Sequence, residues 1–284
     1  MRLGGRRTSD NVEDRRGRGV GGKTTLGIGG VIIVGIIVWL MGGNPMDVVT
    51  QQLSNLNNTE TDHTPTAEEE QAATFAKTIL AGSEDVWKEI FSKHGMTYVP
   101  PRMVLFTNAT ESGCGNASAS TGPFYCPADQ TLYIDLSFFN EMENQLKAGG
   151  DFAYAYVIAH EVGHHVQYLL GTLDKVHEQQ QKLSQKEANK LNVRLELQAD
   201  YYAGVWAYHD NKNFKSLEDG DIEEGLNAAS QIGDDRLQMQ AQGYTVPDSF
   251  NHGTSAQRNR WLKKGLETGD ITEGDTFSIP YSEL

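Results

Sequence analysis

Apolar residues recur at spacings of three and four along two stretches of the chain, which predicts two amphipathic helices. Asp151 as N-cap and Gly171 at the C-terminal end bound the first helix. The second helix covers residues 187–209, and the Gln/Lys-rich residues 178–190 are expected to extend it as a solvated arm. The apolar positions are Ala155, Ile158, Val162, Val166 and Leu169 in the first helix and Leu191, Leu195, Ala199, Tyr202 and Trp206 in the second.

Two further helices and two strands are predicted from local signals. A Thr followed three residues later by Glu or Gln is typical of a capping box at a helix start. The pairs are Thr66 with Glu69, ahead of a helical pattern that runs towards His94, and Thr254 with Gln257. Residues 103–106 form a strand candidate, and residues 131–136 alternate cleanly, with three aliphatic residues on one face. These elements predict an α+β, mostly helical domain over residues 67–284.

An uncharged stretch near the N-terminus has the composition of a membrane-spanning helix. Residues 26–43 provide about 18 residues without a charge, near the lower limit for a helix that crosses a bilayer. The basic residues 1–25 favour the cytoplasm, so the polar linker 44–66 and the domain after it are expected outside the cytoplasm. The alternative is a cleaved signal peptide, although no small-x-small cleavage site follows the apolar residues.

Charge is distributed unevenly along the chain. Residues 1–25 carry seven basic and three acidic side chains, a net charge of +4. Taking this value from the total of −14 leaves a net charge of −18 on the remaining residues. Because so acidic a body repels polyanions, we expect no nucleic-acid partner.

The two cysteines, Cys114 and Cys126, lie close together in a segment rich in Gly, Ser and Pro. Outside the cytoplasm such a pair is expected to form a disulfide, which agrees with the predicted topology. Two free thiols or a pair of metal ligands are the alternatives. A zinc–thiolate site is disfavoured because the chain has no further Cys to complete it.

The first predicted helix carries the sequence His160-Glu161-Val162-Gly163-His164. Histidines four residues apart point to the same side of a helix, here opposite the apolar stripe, and can bind one Zn²⁺. Glu161 lies beside them, where a carboxylate can act as a general base on a zinc-bound water. The alternative is an exposed helix with incidental histidines, since such a match arises by chance in on the order of 1% of chains this long.

The second predicted helix supplies the acidic groups that a zinc site still needs. A catalytic zinc site takes a third protein ligand and leaves one position for water. Glu196 is the predicted third ligand, and Asp200, four residues later, is placed to accept a hydrogen bond from the other ring nitrogen of a ligating histidine. Read alone, the two carboxylates are equally typical of the solvated face of an amphipathic helix.

These motifs resemble those of the bacterial neutral zinc metallopeptidases, which are membrane-anchored relatives of the gluzincins. The motifs cover most of the chain and comprise residues 1–16, Gly122–Pro127, the segment His160–Gln167, Glu196-x-x-Ala199-Asp200 and His252–Trp261. The resemblance implies a zincin-like fold with a small sheet over the helix of His160, and zinc as the cofactor. It also implies that residues 131–136 form the edge strand that holds an extended peptide.

Four other residues have expected roles near these motifs. His252 precedes a capped helix, from which it can donate to the oxyanion of a tetrahedral intermediate, and a structural histidine is the equal alternative. Asp135 is expected to be structural, and Asp234 is expected in a helix-end ion pair. His165 points about 100° further round its helix than the preceding ligand histidine, so it is expected to pack or to support the ligands.

The sequence therefore predicts a single-pass, membrane-anchored zinc peptidase of the bacterial cell membrane, whose substrate is a peptide or a protein. Its expected metal ligands are His160, His164 and Glu196, and its expected catalytic residues are Glu161 and His252. One alternative is a zinc-stabilised envelope factor that hydrolyses nothing, which the presence of Glu161 disfavours. Another is a zinc amidase that acts on cell-wall peptides. The sequence gives no prediction of the oligomeric state.

Overall fold

A four-stranded sheet and the helices packed against it make up residues 1–17 and 65–284, which are the residues that the computed structural model describes. The strands are β1 (Val12–Asp14), β2 (Arg102–Phe106), β3 (Ala109–Ser112), β4 (Gly115–Ser118), β5 (Phe124–Cys126) and β6 (Thr131–Asp135). The helices are α1 (Ala67–Lys93), α2 (Ser137–Asn144), α3 (Asp151–Leu169), α4 (Thr172–Gln180), α5 (Gln185–Phe214), α6 (Asp221–Gln231), α7 (Asp234–Gln242) and α8 (Ser255–Thr268). This architecture confirms the predicted α+β, mostly helical fold class.

The order of the strands in the sheet is β1–β2–β6–β5, and β3 and β4 form a separate two-stranded ribbon. β1 and β2 are parallel, as are β2 and β6, whereas β5 is antiparallel to β6. The expectation that residues 131–136 form an edge strand is therefore wrong, because β6 lies between β2 and β5. Among the described strands, β5 is the edge beside it. With three residues, β5 is too short to show an alternating pattern of its own.

The alternation predicted for β6 is confirmed, although both faces of the strand are buried. Leu132 and Ile134 face the main core, which the sheet shares with the helices. Tyr133 lies on the other face, in a small second core with Val104 and Phe106. Because β6 is an interior strand with a covered surface on each side, its polar-looking face is not solvated.

Local sequence signals set most of the helix ends. Both predicted capping boxes are present: the hydroxyls of Thr66 and Thr254 accept the backbone N–H three residues on, at the starts of α1 and α8. At α3 the N-cap is Gly150, and Asp151, the predicted N-cap, takes the first helical position. Gly171 follows the end of α3 with a φ of 72°, a left-handed conformation that favours glycine.

The expected solvated arm, residues 178–190, is divided by a turn. α4 ends at Gln180, and α5 begins at Gln185 after the N-cap Ser184, whose hydroxyl accepts the N–H of Glu187. A serine cap of this kind starts a new helix because its side chain satisfies a backbone donor that has no partner within the helix. α5 is also longer than predicted and ends at Phe214.

Small residues allow α5 to approach its two neighbours closely. A Cβ atom at Gly163 of α3 would lie 2.9 Å from the backbone oxygen of Ala199 and 3.1 Å from its Cα atom. A larger residue at position 163 would therefore push α3 and α5 apart. Gly204 has the same role on the side of α8, where a Cβ atom would overlap the backbone oxygen of Leu262.

Residues 1–17 belong to the same fold as residues 65–284. β1 adds a strand to the sheet, and the guanidinium of Arg6 binds both oxygens of the buried Asp210 carboxylate on α5. Arg16 donates to the backbone oxygen of Glu69 at 2.9 Å and to the carboxylate of Glu70 at 2.8 Å. The predicted division sets residues 1–25 apart from the domain. Residues 1–17 differ from this division, because Arg2, Arg6, Arg7 and Arg16 pair with acidic groups of the domain.

The predicted membrane span, residues 26–43, and the predicted linker up to residue 64 lie outside the described residues. Within residues 1–17 and 65–284, no helix combines the length and the apolar composition needed to cross a membrane. The described residues before this gap contact those after it, since Arg16 binds Glu69 and Glu70.

Candidate metal centre

Three side chains from α3 and α5 converge on a space that one cation can fill. His160 and His164 lie one turn apart on α3, and Glu196 faces them from α5. The Nε2 atom of His160 is 3.1 Å from Oε2 of Glu196, and the Nε2 atom of His164 is 3.5 Å from Oε1. One ligand atom of each residue lies within 4.8 Å of the other two. The structure therefore brings together the three residues expected to bind the metal.

The donor set of this group fits zinc. Imidazole nitrogens and carboxylate oxygens bind zinc at about 2.0–2.2 Å, and at the corners of a tetrahedron such atoms lie about 3.3–3.6 Å apart. The separations of 3.1 and 3.5 Å are close to this range. Two imidazoles and one carboxylate form one of the ligand sets found in catalytic zinc sites, which keep a fourth position for water.

Each histidine is oriented by a partner on its other ring nitrogen. The Nδ1 atom of His160 donates to Asp200 at 2.8 Å, and that of His164 donates to the amide oxygen of Gln167 at 2.9 Å. The amide nitrogen of Gln167 in turn donates to the backbone oxygen of Leu195, which fixes the orientation of the amide. Because these side-chain oxygens only accept, both Nδ1 atoms carry a proton, and the Nε2 atoms are the ones that can bind a metal once their own protons are released.

Asp200 is the centre of a buried charge network. The Arg258 guanidinium from α8 binds both of its oxygens, at 2.9 and 3.0 Å, and the hydroxyl of Tyr156 donates to it at 2.6 Å. All three side chains are buried. Burial raises the pKa of Asp200, but Arg258 and His160 outweigh this effect and lower the pKa below its usual value. Asp200 therefore stays ionised as the acceptor for His160, and Arg258 balances its charge.

The carboxylates favour the protonated forms of both ligand histidines. Burial lowers the pKa of His160, but Asp200 and Glu196 raise it to about 10. Burial lowers the pKa of His164 as well, and Glu196 raises it above its usual value. Burial raises the pKa of Glu196, whereas the two histidines lower it well below the usual range. Because a metal binds only neutral imidazole, metal uptake here releases protons and becomes stronger as the pH rises.

Glu161 lies beside the ligand histidines and has only 8% of its surface exposed. Burial raises the pKa of its carboxyl group, and the charges of His164 and His160 offset part of this effect. The backbone N–H of Tyr125 in β5 also lowers this pKa, as the smallest of these effects. A desolvated carboxyl group with a raised pKa, next to a metal position, has the properties of a general base.

His252 lies in the loop before α8, and Asp234 of α7 holds this loop. One oxygen of Asp234 accepts the backbone N–H groups of Asn251, His252 and Gly253 at 2.7–2.9 Å, and the other lies 3.2 Å from Nδ1 of His252. Burial lowers the pKa of His252, but Asp234 and Glu196 raise it above its usual value. The side chain is 40% exposed. Asp234, expected in a helix-end ion pair, thus orients the His252 loop.

Two further predicted features lie in the sheet region. Cys114 and Cys126 form a disulfide, which joins the turn between β3 and β4 to β5 and confirms the pairing expected from the sequence. Asp135 accepts the backbone N–H groups of Asn108 at 2.8 Å and Ser137 at 3.0 Å. Its role is therefore structural, as expected.

The sequence does not predict the roles that three residues have around this site: Gln167, Asp234 and Arg258. Gln167 has a local signal, because it lies three residues after His164 on the same helix, a spacing at which side chains meet. Arg258 and Asp234 have no comparable signal, since the partners they hold are 58 and 18 residues away in the sequence.

Proteins of similar sequence are known from several bacteria. The family described as "Putative neutral zinc metallopeptidase" matches residues 1–277. The chain is 49% identical over 285 residues to the uncharacterized protein YpfJ of Escherichia coli (strain K12), a match that covers 98% of this chain and 99% of that protein. It is 45% identical over 203 residues to the uncharacterized protein Rv2575 of Mycobacterium tuberculosis, with 68% of this chain and 66% of that protein covered. No solved structure matches the chain.

Proposed function

Because the chain belongs to the neutral zinc metallopeptidase family, we propose that it is a zinc-dependent peptidase that hydrolyses peptide bonds at the group of His160, His164 and Glu196. The observation that carries this proposal is the placement of three ligand atoms within 4.8 Å of one another, with Glu161 beside them. A zincin-like fold is part of the proposal, since the helix with both histidines, α3, packs against the edge strand β5 of a small sheet.

The ligands in this proposal are the Nε2 atoms of His160 and His164 and a carboxylate oxygen of Glu196. Bound zinc supplies Lewis-acid chemistry, since it lowers the pKa of a water ligand and polarises a substrate carbonyl group. The protein holds the two imidazole rings in place through Asp200 and Gln167, whose hydrogen bonds to Nδ1 are 2.8 and 2.9 Å long. Such outer partners contribute to metal affinity because they reduce the freedom of the ligands.

Glu161 acts as the general base and then as the general acid. Its carboxylate takes a proton from the attacking water and passes this proton to the nitrogen of the leaving amine. The burial that raises its pKa makes it a stronger base than an exposed glutamate.

His252 stabilises the oxyanion that forms on the substrate carbonyl group. Although burial lowers its pKa, the carboxylates of Asp234 and Glu196 raise it, which favours the protonated ring as a donor. Asp234 also holds the backbone of the loop through three N–H groups, so the donor is preorganised before the substrate binds.

A peptide substrate binds in extended form along β5. This strand is the edge of the sheet beside α3, and the Tyr125 hydroxyl at its centre contacts that helix. An extended peptide adds to such an edge through main-chain hydrogen bonds. β5 thereby takes the role first expected of residues 131–136.

The test is metal analysis of the purified protein together with a cleavage screen. The protein should bind one zinc ion per chain and cleave unstructured peptides, because the site leaves a position for water and has a base beside it. A chelator should abolish the cleavage, and added zinc should restore it. Mass spectrometry of the peptide products identifies the bonds that are cut.

The other outcomes of this test separate the alternatives. One zinc ion per chain with no cleavage of any substrate would indicate a zinc-stabilised envelope factor. Cleavage confined to cell-wall peptides would indicate an amidase. Full cleavage after complete removal of zinc contradicts the proposal.

We further propose that the domain works outside the cytoplasm, where a disulfide such as Cys114–Cys126 persists. Residues 1–17 share this location, because β1 pairs with β2 and Arg16 binds Glu69 and Glu70. A strand cannot lie across a membrane from the sheet to which it is hydrogen-bonded. This proposal therefore replaces a cytoplasmic location for residues 1–25, whereas membrane contact through residues 26–43 stays a prediction.

A pair of engineered cysteines tests the shared location in intact cells. Val12 and Met103 are direct partners in the register of β1 and β2, and neighbouring strands are about 5 Å apart, within reach of a disulfide. We expect Val12→Cys with Met103→Cys to cross-link in the cell. After cleavage at a protease site inserted between residues 44 and 64, the N-terminal fragment should stay attached to the domain until the sample is reduced.

Val12→Cys alone is the control for this experiment. On a denaturing gel without reductant its N-terminal fragment should separate from the domain, whereas that of the double variant should not. Release of the fragment from the double variant under the same conditions would show that β1 does not pair with β2 in the cell. The shared location would then be wrong.

A further inference from the structure

One histidine beside the metal group is fully buried and takes no part in the proposed chemistry. His165 follows His164 on α3, but its ring is turned towards β5. Its Nε2 atom lies 2.7 Å from the backbone oxygen of Val99, and its Nδ1 atom lies 2.9 Å from the hydroxyl of Tyr125. Both ring nitrogens are therefore engaged away from the metal position.

These two partners determine the tautomer of His165. A backbone oxygen only accepts, so the ring carries its proton on Nε2 and donates it to Val99. The Nδ1 atom then has a free lone pair and accepts the hydroxyl proton of Tyr125. The rings of Tyr98 and Tyr168 enclose the imidazole, with centroids 5.8 and 6.3 Å away. His165 is thus a rigid acceptor on α3 for the hydroxyl of Tyr125.

Tyr125 is the central residue of β5, and its side chain is hydrogen-bonded to α3. Its hydroxyl lies 2.9 Å from Nδ1 of His165. The next residue, Cys126, faces the other side of the sheet and forms the disulfide with Cys114. Among the described strands β5 pairs only with β6, and the Tyr125–His165 hydrogen bond joins it to α3.

We propose that His165 is a positioning residue that holds the edge strand β5 at the distance from α3 at which an extended peptide reaches the metal group. This inference rests on the proposed function, because β5 receives a substrate only if the chain is a peptidase. α3 carries His160, Glu161 and His164, and β5 carries the peptide, so the contact between them aligns the scissile bond. A shift of β5 therefore weakens the binding of the peptide beside the metal group.

Substitutions on the two sides of the Tyr125–His165 hydrogen bond test the proposal. Tyr125→Phe removes only the hydroxyl, and His165→Leu removes the acceptor. We expect each change to raise KM for a peptide substrate about tenfold and to lower kcat less than about threefold, because binding along β5 is weakened more than the chemical step. His165→Gln keeps a donor and an acceptor, so its KM should return to within about threefold of the wild type. Zinc content should be unchanged in all three variants.

Tyr168→Phe is the matched control. It removes a hydroxyl from a ring that stacks on His165, but this hydroxyl contacts the side chain of Gln130. Its KM should stay within about twofold of the wild type. If Tyr125 and His165 act through one hydrogen bond, the double variant should be no worse than the more impaired single variant. Fully additive effects, or an unchanged KM in both single variants, overturn the proposal.

Amide hydrogen exchange measures the position of β5 without a substrate. In the zinc-loaded protein, residues 124–126 should exchange at least about tenfold faster in Tyr125→Phe than in the wild type or Tyr168→Phe, because local opening becomes easier. Exchange equal to that of the wild type contradicts the positioning role, even if KM changes. If the wild type hydrolyses no peptide, the proposed function fails, and faster exchange in Tyr125→Phe still supports the anchoring of β5 by His165.

Discussion

Replacing Glu161 with glutamine should abolish most peptide hydrolysis and leave the zinc in place. The amide has nearly the shape of the carboxylate but cannot take a proton from water. We therefore expect kcat/KM to fall about 10³-fold, within the range of about 10²–10⁴ that general acid–base catalysis contributes. Zinc content should stay near one ion per chain, because Glu161 is not one of the three residues whose ligand atoms converge. Both quantities are measured on the same preparation.

Glu267→Gln is the matched control for this variant. It makes the same chemical change at an exposed position near the end of α8, where the carboxylate lies 3.8 Å from Lys263. Its kcat/KM and zinc content should equal those of the wild type. If Glu161→Gln keeps more than about a tenth of the wild-type kcat/KM, another group takes the proton from water, and the role assigned to Glu161 is wrong.

Replacing Glu196 with alanine should release the zinc and, with it, the activity. The change leaves two imidazoles as protein ligands. Loss of a residue that only hydrogen-bonds a metal ligand lowers affinity by up to about 100-fold. Loss of the ligand Glu196 should lower zinc affinity by more than this. Binding stabilises the wild type by about 4 kcal/mol when free zinc is 1,000 times Kd, which corresponds to a rise in Tm of roughly 10 °C. A chelator should therefore lower the Tm of the wild type but not that of Glu196→Ala.

Glu187→Ala serves as the control on the same helix. Glu187 lies in the first turn of α5, where its exposed carboxylate binds Lys190 at 2.8 Å. This variant should bind zinc like the wild type and show the same fall in Tm with a chelator. Wild-type zinc affinity in Glu196→Ala would mean that a different residue completes the ligand set, and the metal centre proposed here would be wrong.

Features that depend on neighbours within one helical turn are predicted well from the sequence. The capping boxes of α1 and α8 are present, and Gly171 ends α3 as expected. His160 and His164 share one side of α3 because side chains four residues apart always do so in a helix. Gln167 belongs to this local class, yet its role is visible only once His164 is recognised as a residue that needs a partner on Nδ1.

Sheet edges are predicted poorly because strand pairing links residues far apart in the sequence. β1 and β5 have three residues each, so neither shows an alternating pattern. β6 does show one, yet its interior place depends on pairing with β2 about 30 residues earlier. From the sequence, the basic residues of the N-terminal segment are expected to lie apart from the domain. Only the fold pairs Arg6 with Asp210, 204 residues away.

The sequence by itself determined the helices and the placement of two imidazoles and a base on one of them, because these depend on a periodicity of 3.6 residues. It also offered Glu196 as a ligand but could not bring it to the histidines. Only the tertiary structure places Glu196 beside the two histidines, because α3 and α5 are in close contact at Gly163. The same holds for the ion pair of Arg258 with Asp200. Contacts of this kind arise from packing between helices, which no local pattern of residues encodes.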